Sequence, residues 1–536
     1  MKSDKKFIVL YAFVVIILLV HYFYLPENGF RFNDAGHKYI QMRSIYENKW
    51  QDVSISYPGI SIDPGFKLIR TVFGHKNGKL YGFYQPLFAF MVSLLYPFLG
   101  ARAVFFLPML SFFISVIILH KILIIVARDR SFRFILLFIY AFASPVILYS
   151  FMFWEHTTAL MMMMLSLLYF VKYDYVSNKI SDLLMTSVFI FISVIFRSEM
   201  LMFAVPYMIL IGVYLFLNKK KREFKTVSFI ILLLFAGYII SNLLVFGNTI
   251  FSTDVHYTFT KYLKFIRSID YYFFGVFIIL SVFLALIYRT DNAKWKERDI
   301  IILIPIIWLG YVMKYYRAAP VIQLLIEFPV FLLIFYDYGI STAGETEKFT
   351  MEHFIKVIII IFMTLAVLVS PFTPHRSVRY YLPVIPLVIV FLAIKYSQMT
   401  VSKRLYMKIL VLLAAISMSS VFFRYTTDII PGKKRNAAKV EFIQKHTKDR
   451  DIIIFPDSIT LEFVAHLYFT RIFFVWDMKK EKKIDTILDM VSGKDGEYCY
   501  LWTENKGIER FIMDSYAVSN IYYFDAQRSL IKINAG

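Results

Sequence analysis

One cysteine, Cys499, occurs in 536 residues, and that lone thiol excludes an intrachain disulfide and any cysteine-based metal cluster. Charge is also scarce. Asp, Glu, Lys and Arg make up 18% of the chain, where a soluble domain carries about a quarter. No HxxxH pair or clustered His/Asp set shows the spacing of a metal site. No glycine-rich phosphate loop follows any strand-like run, which argues against a nucleotide site. Internal repeats and low-complexity linkers are absent. So are the matched, Gly/Pro-broken spans that secondary transporters carry in their two halves. No small-residue cleavage site follows the apolar run after Lys6, so that run reads as a retained first span.

What the chain has in abundance is apolar surface. Hydrophobic residues are 59% of the total, aromatics 19%, and the mean hydropathy is +0.61. Runs of roughly twenty apolar residues, enough to cross a hydrocarbon core, recur up to Phe423. Phe7–Leu25, Thr226–Gly247, Tyr271–Tyr288 and His353–Phe372 are examples. These runs predict a polytopic α-helical membrane protein. The net charge of +21 sits largely in short loops between the runs. It is therefore a topology signal rather than a nucleic-acid footprint, and no nucleic-acid partner is expected.

Lys/Arg-rich loops stay in the cytoplasm. That rule puts the N-terminus, Arg128–Arg133, Lys172–Asp182, Lys219–Lys225, Arg289–Arg298, Gly339–Glu352 and Ser397–Arg404 inside. It puts Pro26–Arg102, Tyr149–His156, Arg197–Glu199, Asn248–Asp270, Tyr315–Ala319, Pro371–Tyr380 and everything after Phe423 outside. The alternation works with about thirteen spans if Pro86–Gly100, short and broken by Pro97, is an interfacial helix. The plan is a membrane domain over 1–423, whose first outer loop is 26–102, and an extracytoplasmic α/β domain over 424–536. In the latter, Asp451–Phe455, Ile472–Trp476, Tyr498–Trp502 and Ser519–Phe524 read as strands. Ala437–His446, Leu461–Phe469, Ile484–Val491 and Ile508–Tyr516 read as helices between them.

Two acids stand at the outer face of this plan: Asp34, just past the first span, and Glu155, in Phe153-Trp154-Glu155-His156. Carboxylates at a membrane boundary are costly to bury and usually serve a function. Read from the residues alone, Asp34 is either a reactive carboxylate or the cap of a helix. Glu155 orients a substrate or an arginine, joins His156 in a metal site, or makes a structural ion pair.

In chain order, five elements resemble the GT-C superfamily of integral-membrane glycosyltransferases, in the branch of protein O-mannosyltransferases and the lipid A aminoarabinose transferase. They are Asn33-Asp34-Ala35-Gly36-His37-Lys38-Tyr39 on a long first outer loop and the turn Tyr84-Gln85-Pro86. The segment from Ala143-Ser144-Pro145 to Glu155-His156, the Arg197-Ser198-Glu199 element, and Arg379-Tyr380-Tyr381-Leu382-Pro383 follow. Two positions depart from the pattern: Glu155 stands where many relatives have Asp, and Tyr84-Gln85-Pro86 where they often have a Pro-Pro pair.

The resemblance implies an inverting enzyme that takes a sugar from a polyprenyl-phosphate donor and gives it to a protein, lipid or glycan acceptor. It implies Asp34 as general base with Glu155 beside it, no certain cofactor, and a divalent metal left open. Arg376 and Arg379, then Arg197, Arg317 and Lys314, are candidates to hold the donor phosphate, a task that suits the guanidinium fork. His156, Tyr84, Tyr380, Tyr57, Glu199 and His256 are candidate substrate contacts. A lysine-, isoleucine- and phenylalanine-rich chain of this kind suggests a bacterial inner membrane with the site on its periplasmic side. The rival readings are a flippase for a polyprenyl-linked glycan and a non-catalytic glycolipid-binding envelope protein.

Overall fold

The computed structural model describes residues 5–69, 72–246, 327–335, 350–369, 378–399, 403–455, 461, 463–475, 499–504, 506–516 and 518–533. The expected span Tyr271–Tyr288 and the expected helix Ile484–Val491 lie outside them. The described helices, in order, are α1 Lys5–Tyr24, α2 Asn33–Glu47, α3 Pro86–Leu99, α4 Ala103–Val126, α5 Arg130–Phe142, α6 Val146–Ser150, α7 His156–Lys172 and α8 Ile180–Phe196. They continue with α9 Leu201–Leu217, α10 Lys221–Phe246, α11 Met351–Val369, α12 Val384–Gln398, α13 Lys403–Arg424, α14 Ile430–His446 and α15 Lys506–Ser515. Among the described residues, five helical stretches are long and apolar enough to cross a membrane: Lys5–Tyr24, Pro86–Val126, His156–Ser177, Ser198–Leu217 and Leu405–His446. The chain is a polytopic helical membrane protein.

The chain divides into two compact units. The first comprises Met1–Leu10, Phe113–Ile147 and Ala159–Val421. Its helices pack through aromatic contacts: Phe132 of α5 stacks on Tyr396 of α12 at 3.8 Å, and Phe170 of α7 meets Phe354 of α11 at 4.8 Å. From Val384 to Ile394 every residue of α12 is buried, the mark of a helix that is apolar all round. Asp129 caps α5 by accepting the Phe132 amide at 3.0 Å.

The second unit comprises Tyr11–Phe112, Leu148–Thr158 and Phe422–Gly536. It contains a two-stranded hairpin, β1 Gly74–Lys76 with β2 Lys79–Tyr81, and a five-stranded sheet. The sheet strands are β3 Ile452–Phe455, β4 Ile472–Val475, β5 Cys499–Thr503, β6 Val518–Tyr523 and β7 Ser529–Ile533, in the order β4-β3-β5-β7-β6. β3 runs parallel to β4 and β5, while β7 is antiparallel to β5 and β6. The Ile452-Ile453-Ile454-Phe455 run is wholly buried, as expected of a strand in the parallel part of a sheet covered on both faces. β4 lies at an edge, and its Val475 amide donates to the Leu68 carbonyl of the first outer loop at 2.9 Å.

Two details differ from the sequence expectation. Of the expected helix Leu461–Phe469, Leu461 and Phe463 are α-helical and the stretch from Val464 is not. From Val464 on, the chain makes turns around a short 3-10 segment, Ala465–Leu467, which presents His466. The strand β7, absent from the expected set, follows a tight turn in which Asp525 accepts the Gln527 and Arg528 amides. Gly100 breaks the chain between α3 and α4 with φ of +56°, a conformation that a side chain would strain.

Candidate functional site

The acids singled out from the sequence lie in the same unit, and a lysine one turn along α2 from Asp34 pairs with Glu155. Asp34 occupies the first turn of α2, where the helix dipole favours a carboxylate, and it is 5% exposed. It is not the helix cap: Phe32 holds that position, with no side-chain capping bond. One turn later on the same face stands Lys38, buried like Asp34. The Lys38 ammonium pairs with Glu155 Oε2 at 2.8 Å, and the two side chains are 4% and 7% exposed. It also lies over the Tyr84 ring, 3.9 Å from the centroid. A buried cation so placed gains from the ring quadrupole as well as from the carboxylate. Glu155 therefore makes an ion pair with Lys38, a partner the sequence reading did not name.

Both carboxylates sit in a well-built wall. The Phe83 amide donates to His37 Nε2 at 3.2 Å, which assigns the ring proton to Nδ1. The His37 ring stacks on Phe83 and meets Tyr84 edge-on. Gln41 Nε2 donates to the Tyr84 carbonyl at 3.2 Å. A Cβ on Gly82 would come within 2.9 Å of the Gln41 carboxamide carbon, so a side chain there would have to displace that carboxamide. On the Glu155 side, Trp154 stacks between Phe32 at 4.7 Å and His156 at 4.7 Å, and His156 also stacks on Tyr149 at 5.3 Å. Thr157 and Thr158 anchor the start of α7 to α4 through the Pro108 carbonyl and Ser111.

The other candidates fall elsewhere. Tyr57 belongs to the same unit, but its hydroxyl donates to Asp63 at 3.2 Å. Asp63 also takes the amides of Lys67 and Leu68, so the group ties down the first outer loop. In the helical unit, Arg197 is buried and pairs with Glu199 at 3.0 Å across the 3-10 turn between α8 and α9. Arg379 is buried in a 3-10 turn, Val378–Tyr381, ahead of α12. Tyr380 lies on that turn, and its side chain is outside the described set. Arg376, Arg317, Lys314 and His256 lie outside the described residues.

No model of a known protein family matches the chain, and no curated protein matches it in sequence. The likeness is in the fold. ArnT from Cupriavidus metallidurans bound to undecaprenyl phosphate superimposes with a TM-score of 0.54, covering 99% of this chain and 98% of that one at 10% identity. The same protein in the apo state gives a TM-score of 0.52 with the same coverage and identity. The chain shares its fold with ArnT along nearly the whole length of both proteins. Archaeal oligosaccharyltransferase AglB from Archaeoglobus fulgidus, in complex with an inhibitory peptide and a dolichol-phosphate, is a weaker likeness. It gives a TM-score of 0.45 at 10% identity, over 98% of this chain and 74% of that one.

Among the described residues, Asp34 and Glu155 are not grouped as a metal centre. No group of three His, Cys, Asp or Glu side chains that could hold an ion occurs among the described residues. The place beside Glu155 that a cation would fill is held by the Lys38 ammonium.

Proposed function

We propose that the chain is an inverting glycosyltransferase of a bacterial inner membrane. It moves a sugar from a polyprenyl-phosphate donor to a protein, lipid or glycan acceptor on the periplasmic side. The observation that carries this reading is the buried Asp34–Lys38–Glu155 cluster in a chain whose whole length follows the ArnT fold. In the reaction the acceptor oxygen attacks the anomeric carbon, and the bond from that carbon to the phosphate oxygen breaks. The electron pair leaves with polyprenyl phosphate, and Asp34 takes the acceptor proton. Lys38, one helical turn from Asp34, holds Glu155 in an ion pair. Before the proton moves, the two carboxylates and one ammonium carry one net negative charge, which favours a positive, oxocarbenium-like sugar. Arg379 and Arg197, with Arg376, Arg317 and Lys314, are the cations assigned to the departing phosphate, and Arg suits that task because its fork grips two oxygens at once.

The test uses membranes containing the full chain and a panel of undecaprenyl-phosphate-linked pentoses and hexoses, scored by release of undecaprenyl phosphate. Asp34→Asn is expected to lower release by about 10²–10⁴-fold, the usual worth of a general base, while binding of undecaprenyl phosphate persists. A wild-type rate in that variant would remove Asp34 from the chemistry and the reading with it.

A further inference from the structure

The α2 helix carries Asp34 and Lys38, and the C-terminal part of the same unit contacts the chain on either side of them. Ahead of α2, Asn436 Nδ2 of α14 donates to the Phe30 carbonyl at 2.5 Å, and Arg31 Nε donates to Asp428 at 2.9 Å. Gly29 lies so close to α14 that a Cβ there would stand 2.1 Å from the Lys433 carbonyl oxygen. Behind Lys38, Tyr39 is buried with its ring stacked on His466 at 4.2 Å, and its hydroxyl donates to His466 Nδ1 at 3.4 Å. The other ring nitrogen, Nε2, donates to the Glu27 carbonyl at 2.9 Å. One imidazole thus joins the strand entering α2 to the residue next to Lys38. It uses a donor on one edge and an acceptor on the other, a pairing that requires the neutral Nε2–H tautomer.

We propose that His466 is a positioning residue for sugar transfer. It locks Tyr39 to the Glu27 carbonyl and so fixes the register of α2 that presents Asp34 and Lys38 to Glu155. The C-terminal region then acts on the chemistry by holding the base, apart from any contact it makes with an acceptor. This inference rests on the reading of Asp34 as the base.

The experiment compares the full-length wild type, His466→Ala and His466→Gln in detergent, by amide hydrogen exchange and by turnover of whichever undecaprenyl-phosphate sugar the panel identifies. In His466→Ala, amides of α2 are expected to lose protection while those of β3 and β5 keep theirs. The kcat falls by up to about 100-fold, as a small misplacement of a reacting group allows, with the donor KM unchanged. His466→Gln, whose side-chain N–H can still reach the Glu27 carbonyl, recovers both. If His466→Ala fails to fold, Tyr39→Phe tests the same contact and should loosen α2 in the same direction. Unchanged α2 exchange, a loosened α2 with unchanged kcat, or a Gln variant no better than Ala would overturn the proposal. Full turnover in Asp34→Asn would instead overturn the functional reading, and the exchange result would still report on the clamp.

Discussion

Lys38 follows Asp34 by one helical turn and closes a 2.8 Å ion pair with Glu155, so one side chain ties the first outer loop to the segment ahead of α7. The pair is nearly dry, and this decides what its removal does. Taking away one partner of a buried pair strands the other charge, and the loss exceeds the net worth of the intact pair.

Lys38→Met should therefore lower stability by about 3–5 kcal/mol, measured as the unfolding midpoint in detergent. Adding Glu155→Gln in the same chain should recover much of that loss, because the stranded charge is gone. A double variant as unstable as Lys38→Met alone would show that Lys38 acts through packing on Tyr84 instead.

The crossing of the chain over α14 predicts an asymmetry between two glycines. A Cβ at Gly29 meets backbone, whereas a Cβ at Gly432 meets the Arg31 side chain. Backbone cannot step aside, so Gly29→Ala should cost about 1–3 kcal/mol or more through overpacking. Gly432→Ala should cost about 1 kcal/mol or less, the worth of a half-exposed Arg31–Asp428 pair that can rearrange. Thermal melts of the two variants decide the order.

The buried ring of His466 also predicts a pH dependence. Burial pushes its pKa down from 6.5 to about 4, against the smaller opposing effect of the Glu27 carbonyl. The unfolded chain takes up this proton below about 6.5 and the folded chain does so only near 4, so stability is full above 6.5 and declines as pH falls between the two values. The contribution is at most about 3 kcal/mol, and less where water screens the ring. His466→Gln should flatten the melting midpoint against pH over that window.

Orientation is open to the same kind of test, because Cys499 is buried and stays silent to labelling. Cysteine at Lys79, exposed on the first outer loop, should react with an impermeant maleimide on intact cells. Cysteine at Arg222, exposed at the start of α10, should react only after permeabilisation. The reverse pattern would turn the topology over.

Much of this protein was legible in its sequence because the physics that shapes it is local. Long apolar runs announce spans, and Ile452–Phe455 and Ile472–Val475 announce strands, since buried parallel strands leave no room for polar alternation. β7 escaped notice because Ser529 and Lys532 gave it little contrast with the polar turn before it. Leu461–Phe469 read as one amphipathic helix, yet only its start is helical, and from Val464 the turn that delivers His466 to Tyr39 won over helical propensity. At the site, the acids were visible as misplaced charge at a membrane boundary. Lys38 was not, because it looks like any loop lysine until α2 forms and turns it toward Glu155; its spacing of four from Asp34 was the available clue. Tyr57 stood out as an aromatic near the acids, but its hydroxyl is engaged with Asp63.

The bond from Val475 to Leu68 has a consequence for life in a crowded bilayer. An uncovered sheet rim is a template on which a neighbouring molecule can add its own strand, and such zippering seeds aggregates. Here the β4 rim is stoppered by the molecule's own loop at that amide. A neighbouring copy would have to displace that bond before its own strand could run the length of this border.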